Sequence, residues 1–301
     1  MAAFEWDRLR QPMQKLAEGG FCSIYSTSCE NTGDGDGQIV GDGEIVVKTT
    51  TTASPLAVAD LRREQELLTC MAPHENVMRL LGHGSHPLTG LPFIVLPLIS
   101  GLDLPGPRES TSIWSRRSAV KRWHALRACR VASELADALD HCHHRAIPGS
   151  RLLHRDVKPR NLGLDASDRL VLFDFGLAAR WQVAEGDEEA SKQRLLTAYT
   201  GSLRYMAPEV MVGADGGSKA LYNHKCDVYS WAVLTWQLLA HAVPYSELAC
   251  FGPMEVMKRC REVSHTPRHA RHASHTHPSL RAGTPTMPHS TSVSTVPFLA
   301  H

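Results

Sequence analysis

The alternation of apolar and polar positions predicts short strands early in the chain and long helices further on. Strand-like flanks enclose a glycine pair at 16–25 (LAEGGFCSIY), and the apolar run at 45–48 (IVVK) predicts another strand. Apolar residues fall on one helical face at 61–71 and recur every three or four positions at 120–144. A further strand-like run at 170–173 directly follows a polar loop. The pattern therefore predicts a mixture of strands and helices.

The polar loop before this last strand contains residues suited to one kind of chemistry. The segment at 153–176 reads LHRDVKPRNLGLDASDRLVLFDFG, with Asp156, Lys158 and Asn161 close together and Asp174 after the strand. A hairpin would bring Asp156, Asn161 and Asp174 to one place. Carboxylate and amide oxygens bind magnesium ions against nucleotide phosphates, and a lysine neutralises charge on a transferred phosphoryl group. The segment therefore predicts a site for phosphoryl transfer.

Composition narrows the class of protein. The 301 residues suffice for one large or two small domains, and a hydrophobic content of 43% can form a sizeable core. A formal net charge of +1 argues against a nucleic-acid partner. The eight cysteines are scattered without CxxC pairs, as reduced thiols inside a cell would be. The amino terminus is charged and the strongest apolar run, 91–99, is too short for a membrane span, so we expect a soluble, cytoplasmic protein, with the nucleus as an alternative.

Three motifs in the chain resemble those of eukaryotic protein kinases. HRDVKPRN at 154–161 resembles the catalytic loop, DFG at 174–176 the magnesium motif, and APE at 207–209 the segment with which these enzymes receive peptides. In addition, HENVMRLLG at 74–82 resembles the strand that follows the helix of the small lobe. The resemblance implies an α+β, two-lobed protein kinase-like fold, with a small antiparallel β lobe plus one helix and a larger, mainly helical lobe. It also implies ATP and Mg²⁺ as cofactors and proteins as substrates.

The same resemblance gives each polar residue of the predicted site a role. Asp156 would orient the substrate hydroxyl, and Lys158 would steady the γ-phosphate. Asn161 and Asp174 would bind the magnesium ions. Farther along the chain, Asp227 would hold the catalytic loop in place.

Further residues resemble the nucleotide-binding site of the family. Lys48, at the end of its strand, would hold the α and β phosphates, and its expected partner is Glu64, with Glu66 as the rival. Leu96 would be the gatekeeper beside the adenine, and Ile99 would supply the hinge donor and acceptor. The other ATP-binding candidates are Leu16, Gly19, Gly20, Ile24, Val46 and Asp103, the last of which would reach the ribose.

The sequence departs from the family pattern at two points of this nucleotide site. Ala17 and Cys22 stand where the glycine-rich loop has glycines, so their side chains would crowd the phosphates. Val46 and Gly163 stand where the family has an alanine above the adenine and a leucine below it. We therefore expect the adenine to sit slightly lower and to lose apolar contact worth about 1 kcal/mol. On this view Gly163→Leu would restore nucleotide affinity.

Residues 176–202 resemble the activation segment. Arg155, beside Asp156, matches the subgroup of kinases in which a phosphorylated residue of this segment pairs with the arginine. Ser202 replaces the usual threonine, and its hydroxyl would bridge Asp156 and Lys158. The candidates for phosphorylation are Thr197, which we favour, Tyr199 and Thr200.

The activity implied by the resemblance is transfer of the γ-phosphate of ATP to serine and threonine hydroxyls of proteins. Lys158 and the string GSLRYMAPE resemble the serine/threonine class, and the segment at 224–248 resembles its tyrosine-kinase-like branch. The alternative is a catalytically weak pseudokinase or scaffold that binds nucleotide or partner proteins. A metabolite kinase is a third reading, which the APE motif disfavours.

The resemblance also divides the chain into regions. The helices that should follow 263, and the arginine that should pair with Glu209, are missing from the sequence, so a stabilising or regulatory protein partner is expected. The last region is rich in His, Ser, Thr and Pro and is expected to be disordered. The predicted regions are a lead-in at 1–12, a kinase domain at 13–263 (small lobe and hinge 13–99, partial large lobe 100–263) and a tail at 264–301.

Overall fold

The computed structural model describes residues 4–18, 22–28, 44–101, 124–183, 193–211 and 218–246. None of the helices in these ranges combines the length and the apolar character needed to cross a lipid bilayer. The predictions that lie outside the described residues concern Gly19, Gly20, Asp103 and the tail at 264–301.

The small lobe is a five-stranded antiparallel sheet with one helix. Its strand order is β1-β2-β3-β5-β4. The strands are β1 (Gln14–Glu18), β2 (Cys22–Ser28), β3 (Glu44–Thr50), β4 (Gly82–Ser85) and β5 (Pro92–Pro97), and the helix is α1 (Pro55–Cys70).

Strand β3 separates the two faces of this sheet. Side chains alternate along a strand, so Ile45 and Val47 are buried on the outer face while Val46 and Lys48 occupy the inner face. Val46 packs against the main core, which includes the buried side of α1. The alternation therefore brings Lys48 to the face that α1 covers.

The N-terminal segment packs on the outer face of the sheet. Phe4 and Leu9 are buried there, and the backbone N–H of Phe4 donates to the carbonyl of His83 at 2.7 Å. Gly82 makes this approach possible, because a Cβ at that position would lie 2.7 Å from the Phe4 ring. Residues predicted only as a lead-in thus form part of the small-lobe core.

The described part of the large lobe contains two long helices, α2 (Ala125–His144) and α3 (Lys225–Ala240). The predicted periodicity of α2 is present, since Val131, Leu135 and Leu139 are all buried along one side. The indole Nε1 of Trp231 on α3 donates to the carbonyl of Ala132 on α2 at 2.7 Å. This bond and the shared apolar core join the two helices.

Three small antiparallel sheets position the loops of the large lobe. One sheet pairs β7 with β10, and a second pairs β11 with β12. The third has three strands in the order β6-β8-β9. This two-lobed α+β arrangement confirms the predicted fold class. The strands are β6 (Ser100–Gly101), β7 (Ser150–Leu153), β8 (Leu162–Leu164), β9 (Leu170–Leu172), β10 (Ala179–Gln182), β11 (Arg194–Thr197) and β12 (Lys219–Tyr222).

The strand expected at 74–82 is wrong over most of its length, because β4 begins only at Gly82. The preceding residues bond to β9 of the large lobe instead. Met78 N–H donates to the Leu172 carbonyl at 2.8 Å, and Leu172 N–H donates to the Asn76 carbonyl at 2.8 Å. These bonds join the two lobes.

Candidate active site

Lys48 lies between two carboxylates that come from different lobes. Its Nζ is 2.7 Å from Glu64 Oε2 on α1 and 3.0 Å from Asp174 Oδ1, just after β9. The Glu64 side chain is only 3% exposed, whereas Glu66 is exposed on the same helix. Of the two predicted partners, the structure therefore brings Glu64 to Lys48.

Lys48 and Asp174 stabilise each other's charge. Burial alone would lower the pKa of Lys48, but the Glu64 and Asp174 carboxylates outweigh burial and raise it. Burial likewise would raise the pKa of Asp174, but the Lys48 ammonium holds it below its ordinary value. Lys48 is therefore a cation and Asp174 an anion at neutral pH.

Asp156 is a buried carboxylate fixed by donors on both of its oxygens. Lys158 Nζ donates to Oδ2 at 2.6 Å, and Asn161 Nδ2 donates to the same oxygen at 3.1 Å. Ser202 N–H donates to Oδ1 at 2.8 Å. The hairpin of β8 and β9 follows directly, and it returns the chain to Asp174. The structure thus brings the residues of the predicted catalytic loop together.

Asp227, which is fully buried on α3, holds the backbone of this loop. Its Oδ2 accepts from His154 N–H at 2.9 Å, and its Oδ1 accepts from Arg155 N–H at 2.8 Å. His143 Nε2 on α2 lies 2.8 Å from Oδ2. Burial would raise the pKa of Asp227, but these partners, with His143 foremost, lower it. Sequence reasoning missed His143, because neighbouring histidines give no indication of which one faces the carboxylate.

Asn161 and Asp174 offer oxygen atoms that suit a magnesium ion. The Asn161 amide nitrogen donates to Asp156, and Asp174 Oδ1 accepts from Lys48. The other oxygens, Asn161 Oδ1 and Asp174 Oδ2, have no hydrogen bond among the described residues. Mg²⁺ prefers hard oxygen ligands and commonly takes only one or two from protein, with phosphates and water completing its shell. Within the described ranges no three His, Cys, Asp or Glu side chains form a metal cluster. The donor set therefore fits an ion shared with a nucleotide.

Four of the other predicted nucleotide contacts, Leu16, Ile24, Val46 and Leu96, lie on strands of the small-lobe sheet. Val46 on β3 is the cross-strand partner of Leu96 on β5, and Lys48 is the partner of Ile24 on β2. Leu16 lies on β1, where 47% of it is exposed. These strands bring Val46, Leu96 and Ile24 to the same region as the Lys48 ion pairs.

The floor of the expected adenine pocket differs from the prediction. Gly163 is buried on β8, and a Cβ there would meet the Ile99 side chain and lie 2.6 Å from the Ser100 carbonyl oxygen. The sequence predicted an empty space here, because Gly163 replaces the leucine of the family. The Ile99 side chain occupies that space. The expectation that Gly163→Leu would restore affinity is wrong, because a leucine would displace the hinge backbone.

The end of the activation segment lies against the catalytic loop. Gly201 adopts a φ of 104°, and a Cβ at this position would meet the Arg155 carbonyl. Ser202 reaches Asp156 through its backbone N–H. In the described parts of the chain its hydroxyl makes no hydrogen bond to Asp156 or Lys158, so the predicted hydroxyl bridge is wrong about the atom involved.

The predicted phosphorylation candidates all lie on or just after β11. The side chains of Thr197 and Tyr199 are exposed, and the Thr200 hydroxyl donates to the Thr197 carbonyl at 3.1 Å. Exposure makes Thr197 and Tyr199 accessible to another enzyme. Which of them is modified stays a prediction.

Glu209 of the APE motif is partly buried. Its carboxylate has no basic partner in the portion of the chain that the structure describes. The arginine expected from the family is therefore not supplied by these residues, and the stabilising partner stays a prediction.

Protein kinases share three features that this site has. These are the buried Lys48–Glu64 pair, the Asp156 carboxylate in the loop at 154–161, and Asp174 between the two lobes. The family model described as "Protein kinase domain" matches residues 11–281. The chain therefore belongs to the protein kinase domain family, as its motifs suggested.

Several curated kinases are similar to this chain. CBL-interacting protein kinase 30 of Oryza sativa subsp. japonica is 30% identical over 234 residues, which cover 77% of this chain and 42% of that protein. CBL-interacting serine/threonine-protein kinase 24 of Arabidopsis thaliana is 29% identical, with 77% and 44% covered. Serine/threonine-protein kinase Nek2 of Homo sapiens is 34% identical over 133 residues, with 44% and 26% covered. The chain thus spans less than half the length of each of these relatives.

Proposed function

We propose that the chain is a Mg²⁺-dependent protein kinase that transfers the γ-phosphate of ATP to serine and threonine hydroxyls of proteins. The observation that most supports this proposal is the Asp156 carboxylate, which Lys158, Asn161 and Ser202 fix from both sides. Relatives that are named serine/threonine kinases support the acceptor class.

In the proposed reaction the substrate hydroxyl oxygen forms a bond to the γ-phosphorus. The bond from that phosphorus to the β–γ bridging oxygen breaks, ADP leaves, and the hydroxyl proton passes to Asp156. Lys158, 2.6 Å from Asp156, places a positive charge beside the transferred group. Asp156 and Lys158 therefore orient the nucleophile and stabilise charge at one point.

The small lobe would hold the nucleotide. Lys48 is oriented by Glu64 and Asp174, so its ammonium is directed to where phosphate oxygens would lie. Val46 and Leu96 would supply apolar surface for the base, together with Ile99 of the hinge, which packs against the same core. Mg²⁺, when bound through Asn161 and Asp174, neutralises charge on the phosphates.

The test is Mg²⁺-dependent phosphate transfer from labelled ATP to the chain itself and to a generic protein substrate. Asp156→Asn should reduce the rate by about a hundredfold or more, the range found for positioned acid–base groups. Asp137→Asn, an exposed change on α2, should leave the rate unchanged. Equal rates for the wild type and Asp156→Asn would refute the proposal.

Phosphoamino-acid analysis of the product tests the acceptor class, with phosphoserine and phosphothreonine as the expected products. Nucleotide binding without transfer would instead support the pseudokinase alternative. One observation favours the pseudokinase alternative. Ala17 and Cys22 replace two glycines of the glycine-rich loop, and their side chains would crowd the phosphates.

A further inference from the structure

Tyr222 occupies an unusual place between the catalytic loop and the activation segment. It lies on β12, and its side chain is fully buried. Its hydroxyl donates to the Thr197 carbonyl on β11 at 2.8 Å and accepts from Arg155 Nη1 at 3.2 Å. One phenol therefore contacts both the strand that precedes the turn at 201–202 and the arginine beside Asp156.

The arginine in this link belongs to the same loop as Asp156. Its side-chain Nε donates to the Leu177 carbonyl at 2.7 Å, so the acceptors that the structure describes for its guanidinium are a carbonyl and the Tyr222 hydroxyl. Burial raises the pKa of Tyr222, even though Arg155 opposes the shift, so the phenol keeps its proton. A protonated phenol can donate to Thr197 and accept from Arg155 at once.

The link matters because the two groups that it joins converge on Asp156. Gly201 packs on the Arg155 carbonyl, and Ser202 N–H donates to Asp156 Oδ1. The Tyr222 hydroxyl fixes the strand that leads into this turn on one side and the Arg155 side chain on the other. Its loss would leave the β11–β12 pairing in place but remove the side-chain bond to Thr197, and so loosen the end of β11 that leads to the amide orienting Asp156.

We propose that Tyr222 is a positioning residue for the phosphoryl transfer, and that it holds the activation segment against Asp156 without a phosphate on that segment. The inference rests on the proposed kinase function. Tyr222 does not contact the reacting atoms; it acts through Arg155 and through the β11 strand.

The plain alternative is that Tyr222 is only a core residue. Its ring does pack in an apolar cluster with Met211, Ala220 and Cys226. Tyr222→Phe separates the two roles, because it preserves the ring and removes only the hydroxyl. Tyr229→Phe is the matched control, since it too removes only a hydroxyl, one bonded to the Tyr245 hydroxyl at 3.0 Å, from a ring that packs against the same apolar cluster.

The experiment compares the full chain with these two variants after phosphatase treatment, using steady-state kinetics and hydrogen exchange. Tyr222→Phe should lower kcat about tenfold, with KM for ATP unchanged, because the Lys48 ion pairs remain. Exchange of the amides at 195–202 should accelerate in Tyr222→Phe alone. Tyr229→Phe should keep the kcat and the exchange pattern of the wild type.

Three results would overturn the proposal: an unchanged kcat in Tyr222→Phe, equal effects in both variants, or loss of wild-type activity after phosphatase treatment. Failure of the kinase function itself is distinguishable, because then the wild type and Asp156→Asn would transfer phosphate at the same rate. That comparison is made in the same assay.

Arg155→Gln provides a second measurement if Tyr222→Phe folds poorly. It removes the other end of the link, so it should also lower kcat without changing KM for ATP. Combining Arg155→Gln with Tyr222→Phe should lower kcat by less than the product of the two single losses, because both changes remove the bond between Arg155 and Tyr222. Losses that multiply in the double variant would show independent effects and would contradict the proposal, and so would an unchanged kcat in Arg155→Gln.

Discussion

The Lys48 ammonium and the Asp174 carboxylate lie 3.0 Å apart although they belong to different lobes. Asp174 makes this contact from a left-handed backbone conformation, with a φ of 67°, which costs a residue other than glycine about 1 kcal/mol or more. Glu64 approaches Lys48 from α1 at 2.7 Å. The position of one cation between two anions therefore depends on the relative placement of both lobes.

Replacing Glu64 should impair ATP use. Glu64→Gln preserves the size of the side chain but removes the buried negative charge nearest to Lys48, so the ammonium keeps Asp174 alone as its counter-charge. We expect kcat/KM for ATP to fall about tenfold or more, in line with the value of a charged hydrogen bond. Steady-state kinetics of the full chain measures the change.

Glu66→Gln is the control for this prediction, because it makes the same chemical change two residues away on the exposed side of α1. Its kcat/KM should equal that of the wild type. Similar losses of kcat/KM in Glu64→Gln and Glu66→Gln would show that the effect comes from a change to the helix and not from loss of the ion pair with Lys48.

Replacing Asp227 should destabilise the large lobe. Asp227→Asn removes a fully buried charge that accepts two backbone N–H groups, and its new NH₂ group would face one of these donors. We expect the free energy of unfolding to fall by about 3 kcal/mol, as measured by urea denaturation. Asp137→Asn, on the exposed side of α2, should change it by less than about 0.5 kcal/mol. Comparable losses in both variants would contradict this role of Asp227.

The residues of the catalytic loop could be predicted because their spacing is local. Asp156, Lys158 and Asn161 lie within six positions of one another, and the hairpin that returns the chain to Asp174 follows from two short apolar runs. Lys48 could be found as well, since it directly follows the apolar run at 45–47 that predicted strand β3, although the strand continues to Thr50.

Contacts that depend on backbone atoms or on distant elements could not be predicted in the same way. Ser202 binds Asp156 through its backbone N–H, a group that every residue except proline has. The residue type at position 202 therefore gave no indication of this bond. Ile99 fills the space beside Gly163 because β6 pairs with β8. Nothing in the sequence indicates which residues of these two strands lie opposite each other. The Tyr222 link likewise depends on the pairing of β11 with β12.

The packing of the N-terminal segment yields a further prediction. Phe4→Ala should lower the free energy of unfolding by about 3 kcal/mol, because a buried aromatic side chain is lost from the outer face of the sheet. Gly82→Ala should also destabilise the protein, since its Cβ would lie 2.7 Å from the Phe4 ring. Urea denaturation of the two single variants and the double variant measures both effects.

The double variant tests whether these two residues touch. If they do, Gly82→Ala should cost much less when Phe4→Ala has removed the ring, so the two losses should not add. Leu88→Ala, at a residue that is 90% exposed, should be nearly neutral. Additive losses for Phe4 and Gly82 would contradict the contact.

His224 should make the stability of the protein depend on pH. Burial, together with the nearby His143, Arg151 and His144, lowers the pKa of His224 to about 4, below its ordinary value of 6.5. Between these values the unfolded chain binds a proton that the folded chain does not. The stabilising contribution of neutral His224 is therefore complete above about pH 6.5 and is lost as the pH falls towards about 4.

Urea midpoints measured from about pH 7 to about pH 4.5 test this sign. The wild type should lose stability steadily over this range, and His224→Gln, which cannot titrate, should lose less. His83→Gln, a histidine change in the small lobe, should leave the slope of the wild type in place. If His224→Gln and the wild type showed the same slope, another group would have to account for the pH dependence.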